Sequence, residues 1–233
     1  MLLQLLILFL SHLLIPIYLL NSLWRGREKS KLHWLLKALY TAAFILYIFF
    51  AGRWDWFSLY LRWVFLALFF IVAAGSYRRQ RNLSFFSRDR RAPWASVLGE
   101  LFVLAVFLLF LGLTLRGFFF SAEAVNLSSP LQDGWYYVGQ GGNSTLINYH
   151  NSHPTQKYAL DIVALNSAGF RASGFYPSDP NRYVIFGAPV YAPCDGQVLT
   201  AVDGLPDQSP PDTDTVNVAG NHYVLACQGA EVV

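Results

Sequence analysis

The chain has 233 residues, of which 55% are hydrophobic and only 13% charged, against roughly 25% charged residues in ordinary soluble domains. That composition excludes a simple soluble globular protein and points to a membrane protein. The net charge of +3 hides an asymmetry. Residues 1–120 hold fourteen Lys and Arg against four Asp and Glu, and residues 121–233 hold three against ten.

A basic membrane part followed by a mildly acidic soluble part is therefore expected. The basic charges flank apolar runs and form no folded patch of their own, which argues against a nucleic-acid partner. Only two cysteines occur, Cys194 and Cys227, with no C-x-x-C pattern, so a cysteine-based zinc site is not expected.

Residues 2–22 are almost wholly apolar and long enough to cross ~30 Å of hydrocarbon as a helix. No basic residue precedes this run and no small-residue cleavage site follows it, so it reads as a retained helix rather than a signal peptide. Pro16 predicts a kink. Further spans are expected over residues 32–51, 56–74 and 97–119.

Arg25 to Lys31 carries four basic residues and one Glu, and Tyr77 to Trp94 carries Arg78, Arg79, Arg81, Arg88, Arg90 and Arg91 against Asp89. Both loops belong in the cytoplasm by the positive-inside rule. The short Gly52–Asp55 connection, with tryptophans suited to an interface, then faces out. The N-terminus and residues 121–233 face out with it. Arg62, Lys37 and Glu100 fall within spans and read as snorkelling or helix-end charges, and His12 as structural.

Ser121 to Gln132 is a polar linker. Beyond it, Gly, Pro, Asn and Asp punctuate short runs at 134–139, 158–164, 183–186, 196–202 and 222–226, the texture of an antiparallel all-β domain. Leu205 to Gly220 reads as a surface insertion between two strands. If 196–202 pairs antiparallel with 221–227, Cys194 and Cys227 fall at the same end of a hairpin, as a disulfide or as two buried thiols.

The chemistry is expected between Asn148 and Asp161. This stretch holds His150, His153 and a carboxylate that closes an apolar run, and imidazole with carboxylate is a common zinc shell. Asp161 in the strand 158–163 needs a partner. Downstream, Gly187-Ala188-Pro189-Val190-Tyr191-Ala192-Pro193-Cys194-Asp195-Gly196-Gln197-Val198 reads as strand, turn and strand, and Gly220-Asn221-His222 opens another strand.

Together these segments resemble the lysostaphin/LytM-type zinc endopeptidases, which cut peptide cross-bridges of bacterial cell walls. That family has a His-x-x-x-Asp ligand pair, a G-x-P-V-x-A-x-x-D-G-x-V hairpin, a G-N-x-V strand and a closing His-x-His pair. Matching positions are Asp161, then Gly187, Pro189, Val190, Ala192, Asp195, Gly196 and Val198, then Gly220, Asn221 and Val224. Lys157 stands where the family has its first histidine, so His150, or else His153, takes that role.

The resemblance implies zinc as cofactor, His150 and Asp161 as metal ligands, peptidoglycan peptides as substrate and a bacterial cytoplasmic membrane as location. It also implies that the His-x-His segment is missing, so the chain as it stands would not be catalytically competent. The alternative is a degenerate β domain that binds wall peptide or a partner and regulates another hydrolase. The expected fold is a bundle of four transmembrane α-helices (residues 1–120), a linker (121–133) and an incomplete, all-β, antiparallel external domain (134–233).

Overall fold

The computed structural model describes residues 2–87, 94–120 and 124–233. Arg88, Asp89, Arg90 and Arg91 of the second basic loop, and Ser121 at the start of the linker, lie outside the described residues.

Among these residues four helices are long and apolar enough to cross a membrane: Leu3–Arg25, Lys31–Ala51, Leu61–Gln80 and Trp94–Arg116. The first consists of α1 (Leu2–Phe9), one π turn (Leu10–Leu14) and α2 (Ile15–Arg25). The distortion expected at Pro16 is thus taken up one turn earlier. Proline has no N–H and its ring crowds the carbonyl four residues back, at His12. The wider turn, with Ile15 N donating to Leu10 O, accommodates it.

α3 (Lys31–Ala51) starts on Ser30, whose hydroxyl accepts from His33 N and also meets the His33 ring at 2.9 Å. This is a side-chain cap on an otherwise unpaired N–H. α4 (Leu61–Gln80) begins five residues later than the apolar run predicts. Trp54–Trp56 forms a 3-10 turn instead, and Ser58 adopts a left-handed backbone with φ 81°.

Trp54 does not face an interface; it is fully buried, its indole N–H donating to Ile48 O at 2.7 Å. The carbonyls at a helix end need such partners. A side chain on Gly52 would lie 2.7 Å from that indole nitrogen and 2.8 Å from His12 Nε2, so only glycine fits there. α5 (Trp94–Arg116) completes the set.

The bundle core is Leu19, Leu20, Phe44, Ile45, Ile48, Trp54 and Phe65. Its buried polar groups are paired at several points. Trp34 Nε1 donates to Ser76 Oγ at 2.9 Å. Lys37 reaches Glu28 at 2.5 Å, and Asp55, fully buried, takes two bonds of 3.1 Å from Arg53. The guanidinium of Arg62 lies 5.0 Å from the Phe49 ring centre. His12 is buried against Trp54 and Phe57, in keeping with a structural residue.

The chain divides into two compact units. One holds Met1–Phe120 together with Gly139–Asp161, and the other Ser121–Val138 together with Ile162–Val233. The sequence groups 139–161 with the β region; by contacts it groups with the helices.

In the second unit β1 (Trp135–Gln140) pairs with β2 (Asp161–Leu165) through the parts that lie there. β3 (Gln197–Val202), β4 (His222–Cys227) and β5 (Ala230–Val232) form an antiparallel sheet in that order. Gln197 stands opposite Ala226 and Val202 opposite His222, with an irregularity between Val198 and Thr200.

Four differences from the expected strands stand out: residues 187–193 form no strand, so the strand, turn and strand expected over Gly187–Val198 keeps only its last part in β3, and residues 158–160 precede β2 without joining it. Residues 183–186 are a turn with one bridge, Ala172 to Tyr183, because Tyr183 N and Phe186 N bond to carbonyls three residues back. β5 lies in a short polar-flanked tail with no repeat to mark it. Residues 205–220 form the strand-free connection expected between β3 and β4. Cys194 and Cys227 form a disulfide with Cα atoms 6.0 Å apart, decided by the register that brings Gln197 opposite Ala226.

Candidate functional site: a histidine–carboxylate pair

Asn148 organises the candidate site. It is fully buried, and its side-chain oxygen accepts from His150 N at 3.1 Å. That bond turns the next residues into a 3-10 turn, Tyr149–Ser152, as asparagine commonly does by bonding the backbone two residues on. His150 therefore sits on a turn.

The Asn148 amide donates to three carbonyls: Gly142 O at 3.1 Å, Lys157 O at 3.2 Å and Ala159 O at 3.3 Å. One side chain thus ties the turn before His150 to the segment that leads into Asp161. Such a buried amide is stable only because each of its atoms has partners.

The result is a direct contact. His150 Nε2 lies 2.9 Å from Asp161 Oδ1. The other ring nitrogen, Nδ1, lies 3.1 Å from Gln156 Oε1. His150 is 9% exposed, while the Asp161 side chain keeps 41% of its surface. Asp161 opens strand β2 at a partly open edge, not in the wholly apolar setting its neighbours predict.

Tyr149 stacks beside His150, ring centres 3.9 Å apart. Burial raises the Tyr149 phenol above its ordinary range; the Asp161 carboxylate adds to the rise and the Arg53 guanidinium opposes it. His153 is exposed on the far end of the turn, with no bond to Asp161. The Lys157 ammonium sits 5.5 Å from the Tyr158 ring centre.

The pair passes part of a test for a metal. Nε2 and the Asp161 oxygen share a hydrogen bond, and Gln156 Oε1 stands within reach of Nδ1. A cation placed between Nε2 and the carboxylate would take the place of the shared proton, and metal-binding histidines commonly donate their second ring N–H to an oxygen. Two ligands of a tetrahedral zinc ion with bonds of ~2.0–2.2 Å stand about 3.3 Å apart; the observed 2.9 Å is that of a hydrogen bond, so the two groups would have to open slightly to admit the ion. The set is short in number: no group of three or more His, Cys, Asp and Glu side chains gathers among the described residues. His150 and Asp161 fit as two ligands of an ion and do not complete its shell.

No family model, curated protein or solved structure matches this chain. The resemblance to the lysostaphin-type enzymes rests on its residues alone.

Asn148 and Gln156 are the two residues of this site that sequence reasoning missed. Asn148 carries a signal in retrospect, an asparagine directly before an aromatic–histidine pair. Gln156 carries none, since its role depends on how far the turn folds back.

Proposed function

We propose that this protein is a multi-pass protein of a bacterial cytoplasmic membrane that carries a lysostaphin-type β module on its outer side. By the resemblance the module would act on peptidoglycan peptides as a zinc endopeptidase, with His150 and Asp161 as two of the metal's ligands, an activity that in that family needs the closing His-x-His pair as well. The observation that carries this reading is the 2.9 Å approach of His150 to Asp161, two residues eleven positions apart. Zinc bound there would polarise a scissile carbonyl and supply a water with pKa near ~7.

The membrane assignment draws on the outward-facing apolar side chains of the long helices, among them Phe70 at 63% exposure and Phe102 at 70%. The Cys194–Cys227 disulfide supports an oxidising, extracytoplasmic setting. The basic residues Arg78, Arg79 and Arg81 at the end of α4 set the opposite side. Arg79 lies 4.1 Å over the Trp24 ring and bonds the Trp24 carbonyl.

One observation favours a second reading, a wall-peptide-binding module that regulates another hydrolase. Only two donors assemble, and Lys157 stands at the family's histidine position. One experiment separates the two. Zinc is titrated into the full-length protein in detergent, and cleavage of peptidoglycan peptides is followed.

His150→Ala and Asp161→Ala should each lower zinc affinity by more than the ~10–100-fold typical of an outer-shell change. Unchanged affinity in both variants removes the enzyme reading. Zinc-independent peptide binding without cleavage then supports the regulator. A cytosolic location for a reporter fused after Val233 ends both.

A further inference from the structure

The segment that bears His150 is seated on the end of α5. Asn143 N donates to Gly117 O at 2.7 Å. A Cβ on Gly117 would lie 2.7 Å from Ile147 Cδ1 and 2.7 Å from Ser144 Cβ. A Cβ on Gly142 would lie 2.9 Å from Gly117 O. Ile147 is buried in this contact, and at its rim the Phe120 and Tyr158 rings meet edge to face, 5.3 Å apart. Arg53 packs against the Gly139 backbone, within 3.2 Å of a Cβ placed there.

The dock leads straight to the site. Ser144 O accepts from Ile147 N at 3.1 Å and from Asn148 N at 2.9 Å. Asn148 in turn holds the His150 amide and the carbonyls of Lys157 and Ala159. A displacement at Ser144 or Ile147 therefore reaches His150 through one hydrogen-bonded residue. Ile147 Cδ1 could swing aside, but Ser144 Cβ cannot move without its backbone.

We infer that the end of α5 positions the His150–Asp161 pair, and that Gly117 is the positioning residue: its missing side chain seats the 144–147 turn. The helices are then a working part of the site and not only its anchor. This deepens the zinc reading and rests on it for the function of the pair, but the contact itself is measurable without metal.

The test uses full-length protein in detergent with two readouts. The first is zinc affinity. The second is the nitrogen NMR signal of the His150 ring in metal-free protein, which reports its bonds to Asp161 and Gln156. Gly117→Ala should weaken zinc binding on the order of 10-fold, as outer-shell changes do, and should move the His150 ring signal. Adding Ser144→Gly and Ile147→Val to Gly117→Ala restores the space and should restore both readouts, which a general loss of stability would not allow.

Phe120→Ala removes the ring contact without adding a clash and serves if Gly117→Ala does not fold; a moved His150 signal supports the inference and an unmoved one overturns it. If Gly117→Ala leaves both readouts at the parental value while His150→Ala abolishes zinc binding, the positioning role is wrong and the zinc reading stands. If neither variant affects zinc, the zinc reading fails, and the metal-free ring signal alone decides the positioning.

Discussion

The helical unit and the β unit solve the burial problem in opposite ways. In the helical unit Ser30, His33, Thr41, Asp55, Ser76 and Thr114 are inside, while Phe70, Ile71, Leu98 and Phe102 are each more than 60% exposed. In the β unit the buried apolar set is small: Leu131, Val163, Ala164, Leu165, Ala172 and Cys227. Every residue of β3 except Val202 is exposed. The first unit is held by packing and by hydrogen bonds between helices. The second relies on a covalent link and on turn chemistry, because its strands are short and β3 presents no buried apolar face.

Removing the disulfide should break that contrast most strongly. Cys194 and Cys227 are separated by 33 positions, and closing a loop of that length restricts the unfolded chain by about 3–4 kcal/mol. Cys194→Ala with Cys227→Ala should unfold the β unit early, seen as fast amide exchange across β3 and β4, with the helices unaffected. Simultaneous loss of helix protection would show that the units are not independent.

The matching perturbation of the helical unit is Asp55→Ala. It removes the fully buried partner of a partly exposed Arg53 together with two charge-assisted hydrogen bonds, a loss of about 1–2 kcal/mol. Thermal unfolding in detergent should shift for the helices while exchange in β3 and β4 stays unchanged. A smaller helical shift than that of a surface control would show that the pair carries no stability.

The smallest effect is a local one. Asp214 bonds Asn217 N, Val216 N and the Asn217 side chain. These bonds, the Asn217 backbone first, hold its carboxyl below the ordinary value. A depressed folded pKa means that the turn's stabilisation is present above the unfolded carboxylate pKa and is lost as pH falls through the folded one. The amide shifts of Val216 and Asn217 should follow that acid titration, and Asp214→Asn should abolish it with no change elsewhere. A titration that spreads to β4 would show that the insertion is coupled to the sheet.

Much of the fold was legible along the chain. The four apolar runs emerge as helices because each is long and continuous, and only their ends moved. Residues 56–60 left the third helix because Trp54 found the Ile48 carbonyl and turned inward, a contact that no local pattern announces. The expected pairing of 196–202 with 221–227 is met by β3 and β4, whereas the strand expected before the Asp195-Gly196 turn does not form; the sequence left Cys194 and Cys227 as a disulfide or two thiols, and the register decided it. His150 and Asp161 were picked out by residue type, His150 ahead of His153, and the fold of the turn shows that His150 is the one that meets Asp161.

The amino-acid order alone therefore determined which segments are apolar helices, which are short strands, and which residue types could bind a metal. Those properties depend on neighbours within a few positions. Tertiary structure decided that 139–161 packs with the helices, that Asn148 links both arms of the site, and that Gln156 faces the second ring nitrogen of His150. Each of these depends on contacts between residues brought together only when the chain closes on itself, and a side chain's hydrogen-bond partners are set by that closure.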